Sequence, residues 1–256
     1  MKKIEVKILN SEVVAEAEKM MVCAARLTQR GHKIKNLDDF MTLYNQGYRE
    51  ETVAAMAKLP HPTIQKFGVI NIVIVGASRR FLAQITRHQN EVKFMSASLQ
   101  YSDYSGEADF TVPYEMLVDD DKKQMYFNAC NYAMDKYKLL INVDKCDNDS
   151  AGYMAPQGLR NILIISATPY QWKHMIRQRI CRRNTSETRY VMLRIWEALY
   201  ELAPAMFSRV TTGPFCMEGS CKEGKMACGS PLWSEATPTE IIKTDFPLLA
   251  GGSSHE

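Results

Sequence analysis

Residues 78–101 read SRRFLAQITRHQNEVKFMSASLQY, and this stretch holds the most informative pattern in the chain. Apolar residues recur at helical spacing through its first half without an intervening Gly or Pro, which predicts a helix there. Gln84, Arg87 and His88 would then share one helical face, because residues three and four apart are neighbours on a helix. A guanidinium suits a phosphate or a carbonyl edge, and an amide suits the edge of a pyrimidine or a flavin. This face is either such a binding surface or an ordinary solvated helix face.

A second polar cluster follows the predicted helix directly. Its members are Ser96, Ser98, Gln100 and Tyr101. From the residues alone, this cluster is either a polar surface loop or the continuation of a ligand-binding site.

The composition is that of an ordinary globular protein. The chain has 256 residues, 46% hydrophobic and 24% charged, which is enough for one large domain with a substantial core. The net charge of +3 argues against an extended nucleic-acid or membrane surface and allows a local anion site. No apolar run approaches the roughly 20 residues that span a bilayer. The N-terminus, MKKIEVKILN, alternates like a strand and lacks a signal-peptide core, so we expect a cytoplasmic protein.

Strand and helix patterns alternate along the chain and predict an α/β (α+β) fold. The predicted strands cover residues 3–9, 69–75 and 161–167. The predicted helices cover residues 12–27, 37–58, 119–140 and 169–179. The second strand, VINIVIV, is so apolar that we expect both of its faces to be buried.

Two stretches of the chain resemble one known family. RHQNEVKFMSASLQY, preceded by GASRRFLAQIT, is similar to the signature of the flavin-dependent thymidylate synthases. The positions that match this signature are Arg87, His88, Ser98 and Tyr101. Much later, PQGLRNILIISATPYQWKHMIRQRICRRNTSETRY resembles a second family segment, in register without a gap over residues 160–189. Because two separate matches occur in the right order and spacing, the chain is identified as a divergent member of the family.

The resemblance extends over most of the chain. The segments CAARLT, EALYELAPAMF and GPFCMEGSCKEGKMACG also resemble family segments. A single domain is therefore expected over residues 1–231, with a Cys-rich loop over residues 212–231. Residues 232–256 are expected to form a C-terminal tail, whose end, AGGSSHE, resembles a linker or tag remnant. The implied fold has an antiparallel-rich sheet, long helices and an oligomeric core.

The resemblance implies a reaction and its cofactors. Members of the family transfer a one-carbon unit from methylenetetrahydrofolate to C5 of dUMP and produce dTMP. FAD supplies the hydride, NADPH regenerates the reduced flavin, and the enzymes are homotetramers whose sites are built from several subunits. We therefore expect a methyltransferase that binds a dUMP-like pyrimidine deoxynucleotide, folate and FAD, with no nucleic-acid or membrane partner.

The resemblance also assigns roles to residues. Arg179 corresponds to the uracil-facing position and is the expected catalytic residue, because a fixed guanidinium stabilises negative charge that develops on the ring. The implied substrate-binding residues are Gln84, Arg87, Ser96, Ser98, Gln100, Tyr101, Arg160 and Arg179. The implied cofactor-binding residues are His61, Thr63, Arg87, His88, Gln89, Thr168, Tyr170 and His174. On the sequence alone, His61 is equally a loop histidine without a role.

Five positions depart from the family pattern, and one of them is Ser96, which stands where the family often has Glu or Gln. Gln89 and Gln100 stand where the family has arginines, and Thr168 and Tyr170 stand where Asn and Arg hold FAD. Each Gln keeps hydrogen bonding but loses charge assistance, worth on the order of 1 kcal/mol per contact. The alternatives are therefore a C5-(hydroxy)methyltransferase of another pyrimidine nucleotide, or a catalytically silent paralogue that binds nucleotide. The local cations that would replace the lost charge are Arg79, Arg80, Lys93 and Lys173.

Seven cysteines occur, and a cytoplasmic chain should keep them reduced, buried or metal-bound. Four of them would suit Zn²⁺ or an iron–sulfur cluster, namely Cys181, Cys216, Cys221 and Cys228. Their spacing is looser than that of paired CxxC motifs, so reduced thiols in an exposed loop are the alternative to a structural metal site.

Overall fold

The sheet at the centre of the fold has antiparallel strands only. The computed structural model describes residues 3–218, 221, 223–229 and 236–250. Its strands are β1 (Glu5–Ile8), β2 (Ile70–Ser78), β3 (Val92–Ser96) and β4 (Arg160–Ala167). They form one sheet in the order β1-β2-β4-β3. The mixed fold class and the antiparallel-rich sheet are confirmed, and β3 is a strand that the sequence patterns missed.

Helices cover one face of this sheet. The helices of the described residues are α1 (Glu12–Arg30), α2 (Leu37–Asn45), α3 (Glu50–Ala57), α4 (Arg79–Ile85), α5 (Tyr114–Leu117), α6 (Asp120–Asn142), α7 (Asn148–Ala151), α8 (Pro169–Arg179), α9 (Ser186–Leu202), α10 (Arg209–Thr212), α11 (Pro238–Asp245) and α12 (Pro247–Ala250), and α4 and α9 contact the sheet directly. Ile70, Ile72 and Ile74 of β2 are fully buried in the same core as Trp172 and Trp196. The Trp172 indole donates to the main-chain oxygen of Ile70 at 3.1 Å, which ties α8 to β2 and satisfies a buried donor.

The opposite face of the sheet is open in the single chain. Side chains alternate between the two faces of a strand, and the outward set includes Val75, Ile162 (51% exposed), Ile164 and Met95 (73% exposed). Val75 pairs with Ile162, and Met95 pairs with Ile164, so these residues form one apolar patch. The expectation that VINIVIV buries both faces is therefore wrong for the single chain, because helices cover only one side.

The helix that begins the signature stretch is shorter than its pattern suggested. Ser78 caps α4 by accepting from the Phe81 N–H, and the helix ends at Ile85. Arg87 and His88 lie in the turn that follows, so the prediction that they share a helical face with Gln84 is wrong. The chain must reverse there to enter β3 at Val92, and Glu91 adopts a left-handed φ of 56° to make that reversal.

Part of the segment expected to be a C-terminal tail packs in the main core, and the domain boundary expected at residue 231 stays a prediction. Helix α11 packs on α9, and Ile241, Ile242 and Phe246 are buried in the main core cluster. Thr237 and Glu240 form a capping box at the start of α11. Of the expected tag remnant over residues 250–256, Ala250 ends α12, and the rest lies outside the described residues, as do residues 219, 220, 222 and 230–235.

Candidate functional site

The turn after α4 and the end of α8 bring two of the predicted stretches together. His88 is buried, and its ring meets the ring of His174 edge-on, with centroids 6.0 Å apart. Arg179 donates from Nε to His88 Nε2 at 2.8 Å, although the two residues are 91 positions apart. Arg87 is near enough for its charge to contribute to a lowered pKa of Arg179, for which burial is the larger cause. We call Arg87, His88, His174 and Arg179 the arginine–imidazole cluster.

Electrostatics fix the proton state of this cluster. Burial, then the charge of Arg179 and then His174, lower the pKa of His88 to about 4. His88 is therefore neutral at pH 7, and its Nε2 is free of a proton because it accepts from Arg179. Burial also lowers the pKa of His174, with a further contribution from Arg177. Both imidazoles are therefore neutral beside the charged guanidinium. His88 accepts a hydrogen bond from Arg179, and because His88 carries no negative charge, Arg179 keeps its full positive charge.

Asn184 is a part of this site that the sequence analysis missed. Its Oδ1 accepts from Arg179 Nη1 at 3.4 Å, and its Nδ2 donates to the main-chain oxygen of Gln178 at 2.8 Å. The amide group therefore stabilises the turn between α8 and α9 and gives Arg179 a second hydrogen-bond acceptor besides His88. Asn in a break between two helical patterns is a known turn signal, and this signal was available in the sequence.

Arg160 lies in a second polar cluster, at the junction of β2 and α4. Its Nη2 donates to the main-chain oxygen of Lys3 at 2.7 Å. Glu187, at the start of α9, accepts from the Ser78 N–H at 2.6 Å and from the Ser78 hydroxyl at 2.5 Å. Burial raises the pKa of Glu187, whereas the two bonds from Ser78 and the charge of Arg160 oppose that rise. Arg160 thus lies near the N-terminal end of α4, whereas Arg179 contacts the turn that follows the C-terminal end of α4.

A single glycine makes room for Arg160. Gly76 sits at a bulge in β2 with a φ of 89°, and a Cβ there would lie 1.9 Å from Arg160 Nη2. We expect Gly76→Ala to lower the free energy of unfolding by roughly 2–3 kcal/mol, because it combines left-handed strain with displacement of a half-buried guanidinium. Urea denaturation measures this loss.

Gly47→Ala is the matched control for that prediction. A Cβ added at Gly47 would meet no heavy atom within 4 Å, and Gly47 has no left-handed φ. An equal loss of stability in the two variants would contradict the role assigned to the bulge.

Of the other predicted substrate residues, Gln84 lies in α4, whereas residues 96–101 follow β3 toward the Arg160 end of the sheet. Strand β3 carries the chain away from His88, and Ser96 at its end pairs with Leu163 of β4. Ser98 accepts from the Gln100 N–H at 3.1 Å, and Tyr101 is exposed. The structure therefore gathers Arg87, His88 and Arg179, but it does not place the cluster at residues 96–101 with them.

The predicted cofactor residues divide in a similar way. Thr63 is exposed in a short 3₁₀ turn, Pro62–Gln65, and His61, which is also exposed, directly precedes it. The Thr168 hydroxyl caps α8 by accepting from the Gln171 N–H at 3.4 Å, so it is engaged in the helix start. Gln89 is exposed in the turn after α4, whereas Tyr170 and His174 line a common cavity.

This cavity lies next to the arginine–imidazole cluster and has a volume of about 370 Å³. Helix α8 forms one wall, through Tyr170, Lys173, His174 and Arg177. The other lining residues are Ala57, Lys58, Leu59, Gln65, Val210, Thr211 and Phe215. Its size falls within the range of roughly 300–1,000 Å³ that small-molecule sites occupy.

The four cysteines proposed as metal ligands do not converge. Within the described part of the chain, no group of three or more His, Cys, Asp or Glu residues is placed to hold a metal ion. Cys181 is half-buried in the turn after α8, whereas Cys221 and Cys228 are exposed thiols. The metal site and its alternative, reduced thiols in an exposed loop, both stay predictions.

Fold and site together define an α+β protein whose arginines and neutral imidazoles suit an anionic or carbonyl-bearing ligand. The sequence pattern of the family described as thymidylate synthase complementing protein (Thy1) matches residues 10–205, and the chain belongs to this family. The family identification made from the sequence motifs is therefore confirmed. Among the described residues, no helix is long and apolar enough to cross a membrane.

Curated relatives are similar at low identity. The chain is 24% identical over 172 residues to the flavin-dependent thymidylate synthase of Geobacter sulfurreducens, which covers 67% of this chain and 72% of that protein. It is 23% identical over 171 residues to the flavin-dependent thymidylate synthase of Clostridium tetani, which covers 60% of this chain and 66% of that protein.

Solved structures show the same fold. Thymidylate synthase X from Helicobacter pylori, with FAD and dUMP, matches with a TM-score of 0.61 at 14% identity, over 82% of this chain and 99% of that one. The UMP/dUMP methylase PolB from Streptomyces cacaoi, bound with 5-Br dUMP, matches with a TM-score of 0.63 at 14% identity, over 83% and 96%.

Proposed function

We propose that this protein transfers a one-carbon unit from methylenetetrahydrofolate to C5 of dUMP, giving dTMP, with FAD as its flavin and NADPH as reductant. The observation that carries the proposal is the contact between Arg179 and His88, which joins two family segments in one site. The family membership and the FAD and dUMP of the Helicobacter pylori structure support it.

Arg179 has the chemistry that methylation at C5 of a uracil ring needs. Negative charge builds on the ring carbonyls and on N3 when C5 becomes nucleophilic, and a guanidinium held in place stabilises that charge. His88 and Asn184 both accept hydrogen bonds from Arg179, so its orientation is set before a nucleotide binds. Because His88 is neutral at pH 7, it orients the guanidinium without reducing its charge.

The residues beside Arg179 fit a flavin nucleotide. Tyr170 and His174 offer planar surfaces in the cavity, and Lys58 and Lys173 offer positive charge for phosphate groups. Bound and reduced, FAD would supply the hydride that completes the new methyl group. These cavity residues would replace some of the contacts that the family's Asn and Arg make with FAD, at the positions where this chain has Thr168 and Tyr170.

A second candidate function is methylation of a different pyrimidine nucleotide. The PolB structure is that of a UMP/dUMP methylase, and its TM-score is similar to that of the thymidylate synthase. Gln89 and Gln100 replace two signature arginines, so the contacts to sugar and phosphate differ from the family pattern. A hydroxymethylated product and a silent nucleotide-binding paralogue are further interpretations of the same substitutions.

Two measurements test these functions. The absorption spectrum of the purified protein, before and after titration with FAD, is expected to show a bound flavin. Product analysis with dUMP, UMP and dCMP, each with methylenetetrahydrofolate and NADPH, then identifies the substrate. Protein that binds no flavin contradicts the synthase proposal, and dUMP binding without turnover favours the silent paralogue.

We also propose that the chain assembles as a homotetramer with sites at subunit interfaces. The predicted site residues form two groups, one at each end of α4. In a tetramer, residues from a neighbouring subunit would complete the site at each group, which supports the proposed assembly. The exposed apolar patch on the open sheet face is suited to bury surface between copies.

The open sheet face allows a direct test of assembly. Ile164→Lys places a charge in the patch and is expected to shift the protein to smaller species in light scattering, because burying an unpaired charge is costly. Val118→Lys is the control, since Val118 is 57% exposed and lies outside the sheet. Unchanged mass for Ile164→Lys would exclude this face from the assembly.

A further inference from the structure

The carboxylate of Glu187 holds the N-terminal end of α4. Glu187 lies in the first turn of α9, and its two oxygens accept separately from the N–H and the hydroxyl of Ser78, the residue that caps α4. The Ser78 hydroxyl in turn accepts from the Phe81 N–H at 3.1 Å. Ser78 is buried, and a buried donor that loses its acceptor is costly. The carboxylate therefore fixes both the backbone and the capping side chain at this helix end.

Main-chain hydrogen bonds attach the same end of α4 to a different element. The Arg79 N–H donates to the Leu159 oxygen at 3.0 Å, and the Arg80 N–H donates to the Gln157 oxygen at 3.0 Å, both just before β4. The bonds from Ser78 attach the helix to α9 instead. The start of α4 is thus fixed between the segment that precedes β4 and the helix that follows Arg179.

The other end of α4 is held by the same stretch of chain. Arg179 donates to His88, in the turn after α4, and Glu187 follows Arg179 by eight residues. Residues 179–187 therefore contact α4 at both of its ends. Helix α4 has only seven residues and is roughly 10 Å long, so a displacement at its start is carried to the turn that bears His88.

The two oxygens of Glu187 both act as acceptors, which an ionised carboxylate suits and an amide does not. A glutamine at this position would keep one acceptor oxygen, but its NH₂ group would face a donor of Ser78. Replacing the carboxylate with an amide therefore removes one of the two bonds and places two donors against each other, with almost no change in side-chain size.

We propose that Glu187 is a positioning residue for the proposed reaction: it fixes α4 so that the turn after the helix presents His88 to Arg179. Glu187 acts through α4 and is not itself a catalytic residue. The resemblance to the family assigned it no role. The proposal rests on the proposed function only for its effect on turnover, because the contact that Glu187 controls lies within the chain and can be measured without substrate.

An NMR titration of the histidines in the full chain tests that contact. Burial and the charges of Arg179 and His174 lower the pKa of His88, so in wild type the His88 ring should stay neutral down to about pH 5. In Glu187→Gln we expect α4 to shift, the contact with Arg179 to loosen and the ring to become more hydrated. The midpoint of the His88 titration should then rise by about one pH unit or more, toward the ordinary value of about 6.5.

Two further variants make this titration specific. His88→Gln removes one imidazole signal and so assigns it. Glu115→Gln is the matched control, because Glu115 accepts from the Ser186 hydroxyl at 2.7 Å, beside the same helix start, and bonds α9 rather than α4. We expect Glu115→Gln to leave the His88 titration unchanged.

Kinetics with dUMP separates positioning from general stability. At temperatures well below unfolding, we expect Glu187→Gln to lower kcat about 10-fold, because small displacements of a catalytic group are costly, and to change KM for dUMP less than about 3-fold. Ser78→Ala keeps the N–H bond to Glu187 and should shift kcat and the His88 titration less, in the same directions. Ser78→Thr keeps the hydroxyl and should restore both toward wild type.

The outcome does not depend on one variant. A wild-type His88 titration in Glu187→Gln, or in Ser78→Ala if Glu187→Gln does not fold, would overturn the proposal. A shifted His88 titration in a protein whose wild type forms no dTMP would support the positioning role and count against the proposed function alone.

Discussion

Replacing Arg179 with Lys is expected to reduce turnover by about 10²- to 10³-fold, the effect of removing one preorganised donor to a developing oxyanion. Arg179 uses Nε for His88 and Nη1 for Asn184, and its remaining N–H groups can face a nucleotide. An ammonium on a flexible stem keeps the charge but cannot make the same fixed set of bonds. The loss should fall mainly on kcat, because the interaction strengthens as charge develops on the ring. Steady-state kinetics with dUMP measures it.

Two further variants separate the guanidinium from its supports. Arg183→Lys changes a more exposed arginine, bonded to the main-chain oxygen of Met226, and should leave kcat within a few-fold. His88→Gln keeps an acceptor with different reach, so it should lower kcat less than Arg179→Lys does. Wild-type kcat in Arg179→Lys would remove Arg179 from the mechanism, whatever its contacts.

Local patterns predicted the elements that are fixed by their own side chains. Runs of β-branched residues marked β2 and β4, and Pro169 marked the start of α8 within one residue. Strand β3 was not predicted, because its five residues include the polar Lys93 and Ser96 and so have a weak strand pattern. Pairing with β4 stabilises it as a strand, and that pairing cannot be read from its own sequence. The predicted helix also ran too far past Ile85. The chain has to leave α4 there to pair β3 with β4, and this tertiary contact overrides the local helical pattern.

The site was only partly predictable. The resemblance pointed to His88, His174 and Arg179, and the structure joins them. Neither the resemblance nor the spacing showed that His88 is the acceptor for Arg179, or that Asn184 is its second acceptor, because both contacts depend on how two turns meet. Lys173 appeared in the sequence only as one of four candidate cations, and its burial distinguishes it from the others.

The contact between α11 and the turn after Arg179 leads to the largest expected change in stability. Asp245 accepts from Arg182 Nη2 at 2.8 Å and also from Arg189 Nη2. The side chains of Asp245 and Arg189 are only 9% and 10% exposed. Asp245→Asn is expected to lower the free energy of unfolding by about 3–5 kcal/mol at pH 7, because it leaves two arginines without their counter-charge in a buried setting. Urea denaturation of this variant and of Asp149→Asn, an exposed control, measures the difference.

The pH dependence of that difference identifies its cause. Burial alone would raise the pKa of Asp245, but the bonds from Arg182 and Arg189 outweigh burial and hold it below its usual value. A carboxyl with a depressed pKa adds stability that is present above its unfolded pKa of about 4 and is lost as pH falls through the lower folded value. The gap between wild type and Asp245→Asn should therefore be constant near neutral pH and narrow below about pH 4. A gap that stays constant into acid would mean that the variant fails through packing around Phe246 rather than through lost charge.

The same variant should also affect the site. Since Arg182 follows Arg179 by three residues, Asp245→Asn should loosen the turn that carries Asn184. A fall in kcat at temperatures well below unfolding would show that α11 supports the site.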